Sequence, residues 1–435
     1  MLYNFIFFLP LAIIGSYRMI WWAARVFVAK SRSSTIKASP DYTRDISEEI
    51  FSIVIPVYQE VFENFCQAFD SWQKEKINEI ILVIDHTATD CIAETKSRSK
   101  SDQRIRYIIT KKPGKRSALV DGIKMCSGDI IGLVDADVCL DDGCSSEIRN
   151  AMSHSHIHAL TTKQYAINAH SIAEKVLDIF WSLRYNEELP ILCWLGNCVN
   201  TLSGRAAFFK RKVLIDIYEG LLTEEFLGLP VVSGDDKYLT DAINSKNGIT
   251  LLQSSARVST FAFSSFNQLI KQKVRWGRNS WRSQIKSIIS GWAFQRPILA
   301  FYNLNSMLSP FLSLVVPINL IIAFKLEYYL LAFSFIVWWL FSRWLRLYIS
   351  LDFERRHLLK YFIHYGVIAF LFQLIKIYSF VTLNRHGWMT KKGTKNKLPI
   401  FHQFTEVLLF FISVCLSILI IYWLSPIRFY SHHNL

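Results

Sequence analysis

The sequence predicts an α/β domain with a mostly parallel sheet, set between apolar helices long enough to cross a bilayer. Two observations carry that prediction. Short β-branched runs alternate with helical stretches from residue 51 to about residue 135, a pattern that argues for helices covering both faces of a sheet, with ligands at the carboxyl ends of its strands. Apolar segments at 2–28, 298–324, 327–349, 361–383 and 404–424 occupy the two ends of the chain, and each is near the length a helix needs to span a hydrocarbon core of roughly 30 Å.

The first apolar segment lacks a positively charged start and a small-residue cleavage site. Arg18, Arg25, Lys30, Arg32 and Lys37 gather towards its far end, so it reads as an uncleaved anchor with the following domain in the cytosol. Residues 1–29 are thus expected to be a transmembrane anchor and 30–50, rich in Ser, Pro and Asp, a linker. A soluble domain is expected at 51–263. Within it Phe51–Tyr58, Glu79–Asp85, Ile105–Thr110 and Asp129–Asp135 read as strands; 62–76, 88–100 and a stretch from Ser117 read as helices.

Beyond the domain, 264–297 interleaves Phe266, Leu269, Val274, Trp281 and Ile285 with Lys271, Lys273, Arg275, Arg278, Arg282 and Lys286, the pattern of a helix lying along the inner membrane surface. The same pattern also suits a helix packed on the soluble domain. Transmembrane helices are expected at 298–349, an interfacial helix and loop at 350–403, and a last transmembrane helix with its tail at 404–435. Segment 361–383 carries His364, Gln373 and Lys376 and is read as interfacial or re-entrant, which gives about four true spans. Arg343 and Arg346, beside Trp338, Trp339 and Trp344, read as interfacial snorkelling, with the lining of a channel as the sharper alternative.

The net charge of +14 is concentrated beside the apolar segments, where anionic headgroups attract it. A lipid bilayer therefore accounts for it, and no nucleic-acid-binding signature accompanies it. The eight cysteines contain no CxxC pair and read as reduced thiols rather than zinc ligands.

Strand ends carry the candidate chemistry. Tyr58 and Glu60 follow the first strand, Asp85 ends the second, and Asp135-Ala-Asp137 ends the fourth. Two carboxylates spaced this way can hold Mg2+ or Mn2+ while diphosphate oxygens complete the shell; Asp as a helix cap is the ordinary alternative. Lys112-Pro-Gly-Lys-Arg-Ser-Ala-Leu119 sets Lys115 and Arg116 at a helix start, where cations and amides can face an anion. It lacks Walker spacing. In Ser233-Gly-Asp-Asp-Lys-Tyr-Leu-Thr240 one of two adjacent carboxylates could take a proton.

Asp85, Gly114–Ala118, Asp135-Ala-Asp137, Gly234-Asp-Asp236 and Gln272-Lys-Val-Arg-Trp276 resemble, in order and spacing, the processive family 2 glycosyltransferases, which include hyaluronan, chitin and cellulose synthases. The resemblance runs from about residue 51 to 400, and it implies a GT-A-type, Rossmann-like cytosolic glycosyltransferase domain joined to transmembrane and interfacial helices. It also implies donor binding by Tyr58, Glu60, Asp85, Lys115, Asp135, Gln272, Arg275 and Trp276, metal binding by Asp135 and Asp137, and Asp236 as general base. Trp276, Ser203 and Asp235 would hold the acceptor. Phe380–Gly393 resembles the family's gating loop, which adds Trp388 and Lys392 to the donor site.

The implied activity is processive, inverting transfer from a UDP-sugar to a polysaccharide acceptor chain, with export of a β-linked product from the plasma membrane. The stretch around 193–210 leans towards a capsule or exopolysaccharide made from UDP-glucose or UDP-glucuronate. Hyaluronan and chitin-type products stay open, as does an export partner in the cell envelope. A non-processive lipid-carrier transferase and a nucleotide-gated transporter or channel are the competing readings. The first generally lacks QxxRW and the gating loop, and the second leaves both acidic motifs idle.

Overall fold

The computed structural model describes residues 2–40, 49–167, 169–262 and 265–385. Helix α1 (Leu2–Ser31) precedes a domain that opens with β1 (Phe51–Val57), α2 (Phe62–Lys74), β2 (Glu79–Asp85), α3 (Thr89–Ser101), β3 (Ile105–Thr110), α4 (Lys115–Met125) and β4 (Ile130–Val134). The expected alternation is therefore present, with element ends displaced by a few residues at most. There follow β5 (Val138–Leu140), α5 (Cys144–Met152), β6 (Ile157–Ile167), α6 (Ile172–Leu183), a π-helical turn (Arg184–Glu188), α7 (Leu189–Gly196) and β7 (Ala206–Lys210). Short helices α8 (Arg211–Ile215) and α9 (Gly220–Thr223) lead to a small ribbon, β8 (Glu225–Phe226) with β9 (Leu229–Pro230), then α10 (Asp235–Ser245) and β10 (Ile249–Phe261).

The main sheet has the order β3-β2-β1-β4-β7-β6-β10-β5. Its first four strands are parallel, but β7 runs antiparallel to both β4 and β6, and β5 is antiparallel to β10. The sheet is thus mixed rather than mostly parallel. The departure begins at β7, whose entry from the 197–205 loop is opposite in direction to the βαβ crossovers before it.

Strand residues alternate between two cores, as the pleat dictates. Phe51, Ile53 and Ile55 pack with Phe65, Phe69 and Trp72 of α2, whereas Val54, Ile81 and Ile131 pack with Leu119, Val120 and Ile123 of α4. Full burial of such side chains contributes about 1.5–3 kcal/mol each. The approach of α4 to β1 requires Gly122, where a Cβ would lie 2.4 Å from Val54 Cγ1.

Helix α11 (Phe266–Ile289) follows, then α12 (Pro297–Lys325), α13 (Tyr329–Ser350) and α14 (Phe362–Val381). Among the described residues, three segments are long and apolar enough to cross a membrane: Pro297–Lys325, Tyr329–Ser350 and Phe353–Val381. The last covers the segment read from sequence as interfacial. Trp281 of α11 stacks on Phe380 at 4.6 Å and donates to the Lys376 carbonyl at 2.8 Å. Thus α11 packs on the apolar helices as well as on the α/β domain.

Arg346, read from sequence beside the membrane interface, has an ion-pair partner in the α/β domain. It pairs with Glu187 of the π-helical turn at 2.8 Å, and Arg25 of α1 approaches the same carboxylate at 3.6 Å. Arg343 lies over the Trp339 ring. The 404–424 segment lies outside the described residues.

Candidate active site

The strand ends of β1, β2, β3 and β4 open onto one cavity of about 2080 Å³. Tyr58, Glu60, Asp85, Lys115, Asp135, Asp137, Ser203, Asp235, Asp236, Gln272, Arg275 and Trp276 all line it. Trp388 and Lys392 lie outside the described residues. Arg184, Glu188, Arg205, Lys237, Tyr302, Ser306 and Arg385 also line the cavity without having been assigned from sequence; Lys237 and Arg385 fall within the 233–240 and 380–393 runs, whereas Arg184, Glu188, Tyr302 and Ser306 come from a π-helical turn and an apolar helix that carry no motif.

Lys115 is the hub. Its ammonium lies 2.5 Å from Asp135 Oδ1, 3.2 Å from Asp235 Oδ2 and 3.3 Å from the Gly204 carbonyl. Burial works to lower its pKa, but Asp135 and Asp235 outweigh burial and hold it above the ordinary lysine range. Arg116 does not share the anion-facing position expected of it. It is 5 % exposed and spends its guanidinium on the Leu221 carbonyl, Glu224 and the Ser233 carbonyl. Adjacent residues on a helix point about 100° apart, so one can face the cavity while the other anchors the loop before α10.

That loop turns at Gly234, with φ of 88°, and releases Asp235 and Asp236 into the first turn of α10. The positive end of the helix favours both carboxylates. Asp235 is held low: Lys115 and then Arg116 overcome the effect of burial. Asp236 is pushed up, by burial and then by Asp235. One carboxylate is therefore locked in a salt bridge while its neighbour is left the more basic.

Asp85 combines both roles expected of strand-end acids. It lines the cavity and also accepts from the Thr87 amide at 2.9 Å, a turn preceding α3. The Asp135 amide donates to the Arg205 carbonyl at 2.9 Å, tying the DxD to the loop before β7. Ser203 donates to Gln164 at 3.0 Å. Arg205 stacks over Trp181 at 4.3 Å and Trp276 at 5.4 Å.

Acids crowd around the DxD. Burial, then Asp137 and Asp135, push Glu60 up to about 8, and burial with Asp135 pushes Asp137 up to about 6. Carboxylates that raise one another in this way form a donor set suited to a hard dication. Among the described residues no group of three or more His, Cys, Asp or Glu is arranged to hold an ion. Other oxygens would have to complete the shell, as diphosphate does in the sequence reading.

Residues 52–217 match the model for glycosyl transferase family 2. A hyaluronan synthase of Streptococcus pyogenes is 27% identical over 370 residues, covering 80% of this chain and 84% of that protein. An N-acetylglucosaminyltransferase of Rhizobium leguminosarum bv. viciae is 25% identical over 290 residues, covering 64% and 67%. A solved mannosyltransferase of Pyrobaculum calidifontis, in complex with GDP-Man and Mn2+, superposes with a TM-score of 0.55 at 14% identity, over 86% of this chain and 96% of that one. The family match falls on strands that carry acidic residues of the cavity and the fold is GT-A-like, so this chain is a glycosyltransferase whose residues 52–217 are similar to glycosyl transferase family 2.

Proposed function

We propose that the chain is a membrane-embedded, processive, inverting glycosyltransferase that polymerises UDP-sugars into a β-linked capsule polysaccharide or exopolysaccharide and passes the product across the plasma membrane. The observation that carries this reading is the continuity of the cavity. It runs from the acids at the strand ends, past Asp236 and Trp276, to Tyr302 and Ser306 on α12, a helix long and apolar enough to span a bilayer. A site open in this direction suits an acceptor that stays bound while it grows.

In this reading Tyr58, Glu60 and Asp85 surround the nucleoside, with the domain on the cytosolic side of the membrane. Asp236 takes the proton of the acceptor hydroxyl, which its raised pKa favours. Lys115 holds Asp135 and Asp235 in register, while Gln272 and Arg275 face the diphosphate. Trp276 gives a sugar ring a flat apolar face. Mg2+ or Mn2+ held by Asp135 and Asp137 would stabilise the charge on the departing diphosphate.

The relatives named hyaluronan synthase and N-acetylglucosaminyltransferase favour a second product class, one that contains N-acetylglucosamine. Incubating detergent-purified protein with Mg2+ or Mn2+ and UDP-glucose, UDP-glucuronate and UDP-N-acetylglucosamine, singly and in pairs, separates the readings. High-molecular-weight product from one donor or pair is expected and names the polymer. UDP release without long product would replace polymerisation with single transfer to a lipid carrier or with hydrolysis.

A further inference from the structure

We propose that Lys273 determines acceptor specificity: its ammonium pairs with the carboxylate of a uronate unit in the growing chain. The proposal rests on the polymerase reading above and adds the chemical class of the acceptor. Lys273 lines the cavity between Gln272 and Trp276, yet among the described residues it has no ion-pair partner. Its Nζ sits instead among three rings, 4.4 Å from the centroid of Phe372, 4.9 Å from Phe180 and 5.1 Å from Trp276.

The charged groups that it faces are Arg205, Glu188 and Arg184. Two of these are cations, and the third is already approached by Arg25 at 3.7 Å and by the Tyr302 hydroxyl at 3.2 Å. The recess therefore has an excess of positive charge, and a buried cation without a counter-ion is costly. Burial, then Arg205, push the Lys273 amine down to about 7, the response expected of an ammonium short of an anion.

A free monoanion or a diphosphate would supply charge, but the surroundings fit a sugar acid more closely. Aromatic faces pack against the C–H face of a pyranose, and the ammonium stands among them where a ring carboxylate would project.

The test uses the detergent-purified full chain with UDP present and two tetrasaccharides, neutral chitotetraose and a glucuronate-containing hyaluronan tetrasaccharide. Affinity is read by calorimetry and donor KM from UDP release. The uronate tetrasaccharide is expected to bind about tenfold or more tightly than the neutral one, the scale of a charge-assisted hydrogen bond. Lys273→Met should erase that preference and Lys273→Arg should keep it, with donor KM unmoved. Equal binding of the two by the wild type, or an undiminished preference in Lys273→Met, overturns the proposal, and the wild-type comparison stands even if the Met variant fails to fold. A change confined to the KM for UDP-glucuronate would put the carboxylate on the donor and overturn the acceptor assignment. UDP release with elongation of both tetrasaccharides and no preference defeats this inference alone. No UDP release from any donor defeats the polymerase reading and this inference together.

Discussion

Replacing Glu187 tests how the catalytic domain is fastened to the apolar helices. The Glu187 side chain is fully buried; it takes Arg346 Nη2 at 2.8 Å and Nε at 3.1 Å, and Arg25 Nη2 stands at 3.6 Å. Truncating one partner of a buried pair costs about 3–5 kcal/mol, because the other charge is left uncompensated. Arg346 retains 18% exposure, and glutamine keeps an oxygen that can accept a hydrogen bond, so Glu187→Gln should cost about 2–3 kcal/mol and Glu187→Ala nearer the full amount. For a chain of this size that corresponds to a drop in Tm on the order of 5 °C for Gln and more for Ala. Intrinsic-fluorescence melts of the detergent-purified variants measure it. Adding Arg346→Leu to Glu187→Leu should recover part of the loss. Melting temperatures that match the wild type in both Gln and Ala variants would refute the reasoning.

Three further outcomes follow from the site and its support. Asp236→Asn should leave UDP binding intact and lower transfer by about 10²–10⁴; normal turnover would remove Asp236 as the base. Gly234→Ala forces a side chain into a backbone at φ 88° and sets a Cβ 2.9 Å from Asn279 Cγ; with a strain of about 1–3 kcal/mol it should cut kcat while circular dichroism stays native, and unchanged kcat would show that the turn can relax. Asp102 is held at about 2 by hydrogen bonds from Arg104, against an ordinary value of 3.8. Its contribution is complete above 3.8 and is lost as pH falls towards about 2, so the stability gap between wild type and Asp102→Asn should be full at about pH 5 and close at low pH. A gap that does not change with pH would contradict this assignment.

Much of the site was legible because strand ends are legible. Runs such as Glu79–Asp85 end in the residue that reaches the cavity, and the period of the helix at Gln272–Trp276 brings both ends of the motif round to one face. What escaped depends on tertiary placement. Ala206–Lys210 is too short for its direction to be read, so the antiparallel insertion went unseen. Arg116 resembles its neighbour Lys115 in every local respect and differs only in which side of α4 it occupies. Arg346 gave no sign of its partner, because Glu187 lies 159 residues away in a turn whose π-helical geometry has no simple sequence signature. Lys273 was read as part of an amphipathic face; the three rings around it come from three different helices.

Asp135 is bonded through its amide to Arg205, and its carboxylate shares the Lys115 ammonium with Asp235 and the Gly204 carbonyl. Stretches separated by as many as 120 positions in the chain, from Lys115 to Asp235, therefore behave as one lattice. Substitutions in any two of them should combine non-additively. In the polymerase reading proposed above, a substitution that alters the donor end of this lattice would then also alter how the acceptor end is held, so the two affinities should shift together.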